Sequence, residues 1–349
     1  LNTKCICEKL NISQKSLRLY EDLELIHPKR SQNNYRDYSE EDIIKIREIV
    51  ILKELGFSLK EIKLLSKKNS YKHNTPVKSL YFQMKAIEQK LTELESVKDT
   101  LKDSVNMLLD KDYNESQEYM KSIEDSLQKN KVMRQQWIDK WNFDSWALNY
   151  DKSVLENEGD ELRLFENYEG IISFIRNRII ELNAKNILDI GCGTGNLCGP
   201  LSESINILGM DQSIEMLLIC SEKYPNMKLK LGNFLDEPFR EDSFDIIVST
   251  YAFHHLDTKE KVKALGNMVK LLKSKGSIII GDLMFLNENE RNKCKDDFIS
   301  SSRRDLWEQI EDEYYTDIES IVHEAEKIGC SSSFKHMNNF TWILEITKK

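Results

Sequence analysis

The chain of 349 residues has little proline, no Cys-x-x-Cys pair and no apolar run near bilayer length. Each absence removes a class. The longest apolar runs are strand-sized, far below the ~20 residues needed to span a bilayer, so no integral membrane protein is expected. The first residues, Leu1-Asn2-Thr3-Lys4, have no apolar stretch behind them, so no secretory signal is expected. The seven cysteines are odd in number, and only Cys5/Cys7 and Cys192/Cys198 lie close together. That usage fits free thiols in a reducing, cytoplasmic setting rather than a disulfide framework. Glycine is missing from residues 57–158 and proline from residues 77–199. A globular core seldom manages without turn residues for so long, whereas a long helix does.

What is present is uneven. Net charge is −9, yet residues 1–75 hold 15 Lys+Arg against 11 Asp+Glu, leaving −13 for the remainder. A basic end on an acidic body points to a polyanion partner for that end alone. Length suggests two or three folded units.

The basic end reads as short, well-punctuated helices. Asn11 sits where a left-handed turn is needed, and Ser13 is placed to cap a helix over 14–21 carrying Lys15, Ser16, Arg18 and Tyr20. Ser39-Glu40-Glu41-Asp42 opens an apolar-periodic helix that stops at Gly56, and Ser58-Leu59-Lys60-Glu61 opens the next. Between them runs a basic, aromatic stretch with Lys29, Arg30, Asn34, Tyr35 and Arg36. A winged helix-turn-helix needs this arrangement, with polar side chains on a capped helix for base edges and a cationic wing for phosphates. A small helical bundle with solvated charges fits the same spacing.

The segments NISQKSLRLYEDLELIHPKR, NNYRDYSEED and LKELGFSLKEIKLL resemble, in order, the DNA-binding domain of MerR-family transcriptional regulators. The resemblance covers about 70 residues, taken as residues 1–72. It implies a dimer on a pseudo-palindromic double-stranded promoter site. It also implies DNA contacts by Arg18 and Tyr20 on the recognition helix and by Tyr35 and Arg36 in the wing; Ser13, Lys15, Ser16, Lys29, Arg30 and Asn34, by their chemistry, complete the expected DNA-binding set. Asn11 departs from the family's usual Gly.

Downstream, Leu80, Met84, Ile87, Leu91, Leu94, Leu101, Val105 and Leu108 recur in steps of four and three, with one seam position taken by Lys98. This heptad predicts a coiled-coil helix over 76–110, which in MerR regulators is the dimerisation helix, followed by a helical connector over 111–140. MerR-type metal sensors carry cysteines in this region; residues 8–191 have none, so no metal ligands are assigned.

From residue 141 strands and helices alternate, with strands at 187–190, 205–210, 228–231, 244–249 and 277–281. Such alternation predicts a doubly wound parallel sheet with its ligand crevice at the carboxyl ends of the strands. The first strand runs into Gly191-Cys192-Gly193-Thr194-Gly195, and Asp211 ends the second. Glycines let backbone approach a ligand, and an acid at that place accepts from ribose hydroxyls. A nicotinamide dinucleotide and S-adenosylmethionine both satisfy this pattern, while the lack of a following lysine removes a P-loop.

The motifs ILDIGCGTGNL, GMDQSIEML, FDIIVSTYAFHHL and LLKSKGSIIIGDLMF resemble those of class I S-adenosyl-L-methionine-dependent methyltransferases, over nearly all of residues 141–349. The likeness is greatest to small bacterial methyltransferases sharing YAFHHL and EYYT segments. It implies that S-adenosylmethionine is the cofactor, with Gly191, Cys192, Gly193 and Gly195 along its amino-acid part and Asp189 near its amine. It further places Asp211 at the ribose beside Gln212 and Met216, Asn233 and Phe234 at the adenine, and Thr250 beneath. Trp146 and Tyr150 fall on a lid helix. Asn233 departs from the family's usual Asp.

Methyl transfer needs alignment, and a base only when the acceptor is protonated. His254 and His255, with Tyr251 beside them, are the candidate catalytic groups; packing against the sheet is the competing role. Arsenic methylation is not expected, because Cys220, Cys294 and Cys330 are scattered. DNA methylation is not expected either, since the half is acidic and Ser249-Thr250-Tyr251-Ala252 stands where a base-amino enzyme has a Pro-Pro-Tyr/Phe motif. The fold expected is multidomain: an all-α winged helix-turn-helix with a dimerisation helix, then an α/β Rossmann-like methyltransferase. The function expected is a DNA-binding regulator that methylates an unidentified small molecule, the expected partner being a methyl acceptor or inducer. The alternative is a non-catalytic domain sensing S-adenosylmethionine or its demethylated product.

Overall fold

A computed structural model of the chain describes residues 1–31, 33, 35–68, 76–110, 143–156, 161–236 and 238–349. Two compact units divide it, Leu1–Lys140 and Trp141–Lys349. The connector expected over 111–140 and the wing residue Asn34 lie outside the described residues.

In the first unit, side chains punctuate each helix. Asn2 caps α1 (Thr3–Leu10), which Asn11 ends in the left-handed region at φ 51°. The Ser13 hydroxyl accepts from the Ser16 N–H at the start of α2 (Gln14–Asp22). Strands β1 (Lys29–Arg30) and β2 (Arg36–Asp37) pair antiparallel as a short wing. Ser39 and Asp42 form a reciprocal capping box on α3 (Glu40–Glu54), and Ser58 and Glu61 do the same for α4 (Leu59–Lys68). The core of Ile6, Leu17, Ile46, Ile49, Leu52 and Ile62 is closed by Phe82 and Ala86 of α5 (Pro76–Asp110). Glu48, fully buried, locks α5 to α3 by accepting from Lys45 at 2.7 Å and from the Ser79 hydroxyl at 3.1 Å.

Only one side of α5 is used in this way. Leu80, Ile87, Leu91, Leu94, Leu101 and Val105 stand 37–64% exposed along another side, at the heptad positions.

The second unit is a mixed sheet covered on both faces. Its strands are β3 (Asn186–Ile190), β4 (Asn206–Asp211), β5 (Lys228–Leu231), β6 (Phe244–Thr250), β7 (Leu272–Phe285), β8 (Thr316–Asp317), β9 (Cys330–Asn338) and β10 (Thr341–Lys348). The order is β5-β4-β3-β6-β7-β10-β9, with β8 paired to the end of β7. The first five strands are parallel, as the sequence pattern predicts. The last two are not: β10 runs antiparallel to β7, and β9 antiparallel to β10. A hairpin at Asn339 makes that reversal, and its exposed residues do not resemble a buried parallel strand.

Helices α8 (Tyr168–Glu181) and α9 (Ile214–Lys223) cover one face through Ile171, Ile175, Ile179 and Leu217. Helices α10 (Thr258–Leu271) and α13 (Ile318–Lys327) cover the other through Leu265, Met268, Ile318 and Ile321. Two short helices, α6 (Phe143–Trp146) and α7 (Tyr150–Glu156), precede them, and α11 (Glu288–Ser300) and α12 (Arg304–Glu311) pack around Trp307. The chain order reverses between β3 and β6, so the crevice for a ligand opens at their carboxyl ends.

Candidate functional site

The loop after β3 turns through three residues of positive φ, Gly191, Gly193 and Gly195. Their reasons differ. A Cβ on Gly191 would lie 2.4 Å from the Cβ of Ala252, and one on Gly195 would lie 2.6 Å from the Cys220 Sγ. Both glycines therefore admit other parts of the protein, not a ligand as the spacing alone suggests. Gly193 is the one open to an incoming group, with nothing nearer than 3.9 Å to the same point. Cys192 is buried beneath the loop.

Two carboxylates sit at adjacent strand ends. Asp211 accepts from the Gly193 N–H at 2.8 Å on one oxygen and from the Ser213 N–H at 2.8 Å on the other. Each oxygen keeps a further lone pair for a hydroxyl donor. Burial pushes Asp211 up to about 6, against the lowering pull of those N–H bonds. Asp189 is fully buried and neither of its oxygens meets a hydrogen-bond donor; the Cys198 thiol and N–H give the nearest help. Burial raises it to about 7, with the Asp211 charge adding to the effect. An orphaned buried carboxylate is the group that a cationic ligand atom compensates.

This has a consequence for stability. Folded, Asp189 keeps its proton to about pH 7, whereas its ordinary value is 3.8. The stability that this proton confers is complete below about pH 4 and is lost as pH rises through about 7. Asp189→Asn is therefore expected to flatten this decline and to stabilise the ligand-free protein at pH 7.5 by on the order of 1–3 kcal/mol. Denaturant unfolding across the pH range reads this directly, and a pH profile identical to that of the parent protein contradicts it.

An aromatic layer closes over the loop. Trp146 and Tyr150 meet edge-on at 5.0 Å, Phe165 lies 5.1 Å from Tyr251, and Tyr168 lies 5.6 Å from Tyr251. Asp151 ties this lid to the loop, accepting from the Thr194 hydroxyl at 2.5 Å, Asn196 at 2.9 Å and Lys223 at 2.7 Å. Burial acts to raise Asp151, but the bonds from Lys223, Thr194 and Asn196 outweigh it and hold the group below its usual range. Asp144 on α6 accepts from Ser213 at 2.5 Å, next to Asp211. Sequence reasoning missed Asp144, Asp151, Thr194, Asn196 and Lys223, since hydrogen-bond partners far apart in the chain leave no spacing signal.

The remaining expected cofactor residues divide. Met216 is buried in the first turn of α9, facing Gly193, and Gln212 is exposed beside Asp211. Thr250 ends β6 half-buried. Asn233 spends its side-chain oxygen on the Leu235 N–H at 2.8 Å, forming a local turn. Phe234 belongs to the core, edge-on to Phe253 at 5.5 Å, so its ring serves packing. Tyr251 is packed in the core: it is 6% exposed, its hydroxyl faces Thr341 at 3.4 Å, and burial raises it well above the usual phenol range.

The two histidines are the centre of a polar cluster. Asp282, at the end of β7, binds the His254 N–H at 2.9 Å and its Nδ1 at 2.5 Å. Glu313 Oε2 lies 3.6 Å from His254 Nε2 and 3.2 Å from His255 Nδ1. Burial pulls His254 down, but Asp282 more than offsets it and leaves it raised; burial and the His254 charge lower His255. Sequence reasoning found the histidines but neither acid.

In the first unit, Ser13, Lys15 and Arg18 are exposed on α2 and Ser16 is half-exposed. Lys29, Arg30 and Tyr35 are exposed in the wing, Tyr35 at 74%. Glu21 on α2 holds Arg30 at 3.2 Å and Arg36 at 2.6 Å, orienting the wing against the helix. Tyr20 is 6% exposed and packs in the core, because its place on α2 faces inward beside Leu17.

The family described as "Methyltransferase domain" matches residues 187–276, and "MerR HTH family regulatory protein" matches residues 2–68. An uncharacterized methyltransferase of Anoxybacillus flavithermus is 34% identical over 208 residues, covering 59% of this chain and 96% of that protein. One from Alkaliphilus oremlandii is 33% identical over 207 residues, covering 59% and 95%. Among solved structures, magnesium protoporphyrin IX methyltransferase from Synechocystis gives a TM-score of 0.46 at 13% identity, covering 60% of this chain and 100% of that one. The chain belongs to this family of uncharacterized bacterial methyltransferases, here carried behind a MerR-type helix-turn-helix domain.

Proposed function

We propose that the α/β unit binds S-adenosylmethionine and methylates a small molecule, and that the helical unit binds a promoter as a homodimer. The observation carrying the first part is the pair of carboxylates at the switch point, Asp189 orphaned and Asp211 bridging Gly193 to Ser213. Asp189 holds the cofactor's amine, where a cation relieves its burial cost. Asp211 receives both ribose hydroxyls. When bound, the cofactor supplies a methyl group on a positively charged sulfur. The residues of this chain do the rest by placement. The lid of Trp146 and Tyr150, pinned through Asp151, excludes water, and the acceptor enters beside the histidine cluster. Alignment of this kind supplies several kcal/mol of a barrier.

The regulatory part rests on α2, the wing and α5. Arg18, exposed on α2, reaches base edges, while Lys29, Arg30 and Arg36 hold phosphates. Arg18→Ala is expected to weaken promoter binding about 10–100-fold while leaving cofactor affinity intact, as read by fluorescence anisotropy. Equal weakening on unrelated DNA would reassign Arg18 to phosphate contact. The exposed heptad stripe of α5 supports the homodimer, because a row of large apolar side chains is stable only when covered. No described helix is long and apolar enough to cross a membrane; we place the protein in the cytoplasm, with its DNA.

Labelled S-adenosylmethionine incubated with candidate acceptors tests the catalytic reading. Transfer to a small molecule supports it. Cofactor-dependent change in promoter affinity without any transfer supports a sensor in its place. Either way the coupling is reciprocal, so a ligand that weakens DNA binding is itself bound more weakly on DNA.

A further inference from the structure

The carboxyl ends of β6 and β7 gather a donor set that the reading above does not use. His254 Nδ1 is held by Asp282 at 2.5 Å, which leaves Nε2 as the coordinating nitrogen. Glu313 Oε2 lies 3.6 Å from that Nε2 and 3.2 Å from His255 Nδ1, and the three donor atoms fall within 4.8 Å of one another. Ligands 2.0–2.2 Å from a tetrahedral metal are separated by about 3.3–3.6 Å along each edge. The two measured edges match that spacing without any side chain moving far. We propose that His254, His255 and Glu313 form a three-ligand site for a divalent transition-metal ion, of the zinc type, with the fourth position open.

The surroundings fit. Asp282 stands behind His254 as the outer carboxylate that fixes a ligand histidine's tautomer and raises its basicity. Two carboxylates, Asp282 and Glu313, face one ammonium, Lys261, whose Nζ donates to the Leu256 and Tyr314 carbonyls. The balance is negative. His255 and Glu313 are partly exposed, 16% and 27% at their side chains, so an ion and a further ligand have access. Two histidines, one carboxylate and an open position are the composition of a catalytic rather than a structural metal site. That the open position takes an oxygen or nitrogen donor of the methyl acceptor rests on the methyltransferase reading. Metal binding itself does not.

The test is titration of the metal-stripped full chain with zinc ions alone, followed by metal analysis after gel filtration. One equivalent per chain is expected. Glu313→Gln and His255→Ala should each weaken binding at least 10–100-fold, with unchanged circular dichroism and thermal unfolding when metal-free. Glu311→Gln, a nearby exposed acid, should leave binding as it is. Cobalt in place of zinc should give a tetrahedral visible spectrum without a thiolate band, which separates this site from the free cysteines. No bound metal, stoichiometry and affinity unaltered by Glu313→Gln, or a thiolate band overturns the proposal. Failure of cofactor binding, measured apart, would strike the methyltransferase reading and leave this one standing.

Discussion

Replacing Asp211 with alanine is expected to lower the affinity for S-adenosylmethionine by about 100-fold or more. Two effects combine. The ribose loses a carboxylate that accepts from both hydroxyls, and hydrogen bonds to a charged group contribute about 1.5–3 kcal/mol each. The loop also loses its clamp, since Asp211 accepts from both the Gly193 and the Ser213 N–H groups at 2.8 Å. Together these amount to about 3–5 kcal/mol, or roughly two to nearly four decades in affinity. Asp211→Asn keeps one oxygen and should retain an intermediate affinity. Promoter binding by the ligand-free chain should stay as it is, because the helical unit has its own core. Calorimetric titration with wild-type affinity in Asp211→Ala would remove this residue from the site.

Leu91→Lys together with Leu94→Lys is expected to convert the proposed homodimer to a monomer and to lower promoter affinity by about two to four decades. Both leucines are more than half exposed in the single chain, at 55% and 54%. Burying a leucine contributes about 1.5–3 kcal/mol, and a symmetric seam buries each of them twice. Lysines at the same places add like-charge repulsion across it. A monomer engages one half-site, so the effective concentration that links two half-sites disappears. The fold of the helical unit should survive, because its core takes Phe82 and Ala86 from α5 and not these leucines. Sedimentation analysis and anisotropy read the two effects separately. A stable dimer in the double variant would put the interface elsewhere.

Local signals carried most of the fold. Ser13, Ser39 and Ser58 begin helices by bonds within three residues, and the α5 stripe repeats every three or four, so both were legible in the sequence. The inner parallel strands β3, β4 and β6 were legible because burial on both faces makes them near-continuous apolar runs, whereas β5 at the sheet edge alternates Lys and Leu. The β9–β10 hairpin was not, since half of β9 faces solvent and its reversal needs only a turn at Asn339.

The candidate site divides on the same line. Gly193 and Asp211 were candidates by glycine spacing and an acid at a strand end, and Asp189 through the resemblance to methyltransferases. Tyr20, Phe234 and Tyr251 looked like ligand contacts because an aromatic next to a motif reads the same whether it faces a ligand or the core. All three are buried and pack in the cores of their units. Glu313 joins His254 and His255 from about 60 residues away, and Asp151 reaches Lys223 across 72, distances at which one sequence carries no pairing information.

The central claim is that the switch-point crevice holds S-adenosylmethionine, one of two cofactors that its glycine loop and terminal acid allow. Calorimetric titration of the full chain with S-adenosylmethionine, and in parallel with a nicotinamide dinucleotide, tests it most directly. One equivalent of S-adenosylmethionine per chain is expected, lost in Asp211→Ala, with no binding of the dinucleotide. Saturable binding of the dinucleotide, or no heat from S-adenosylmethionine, would contradict it.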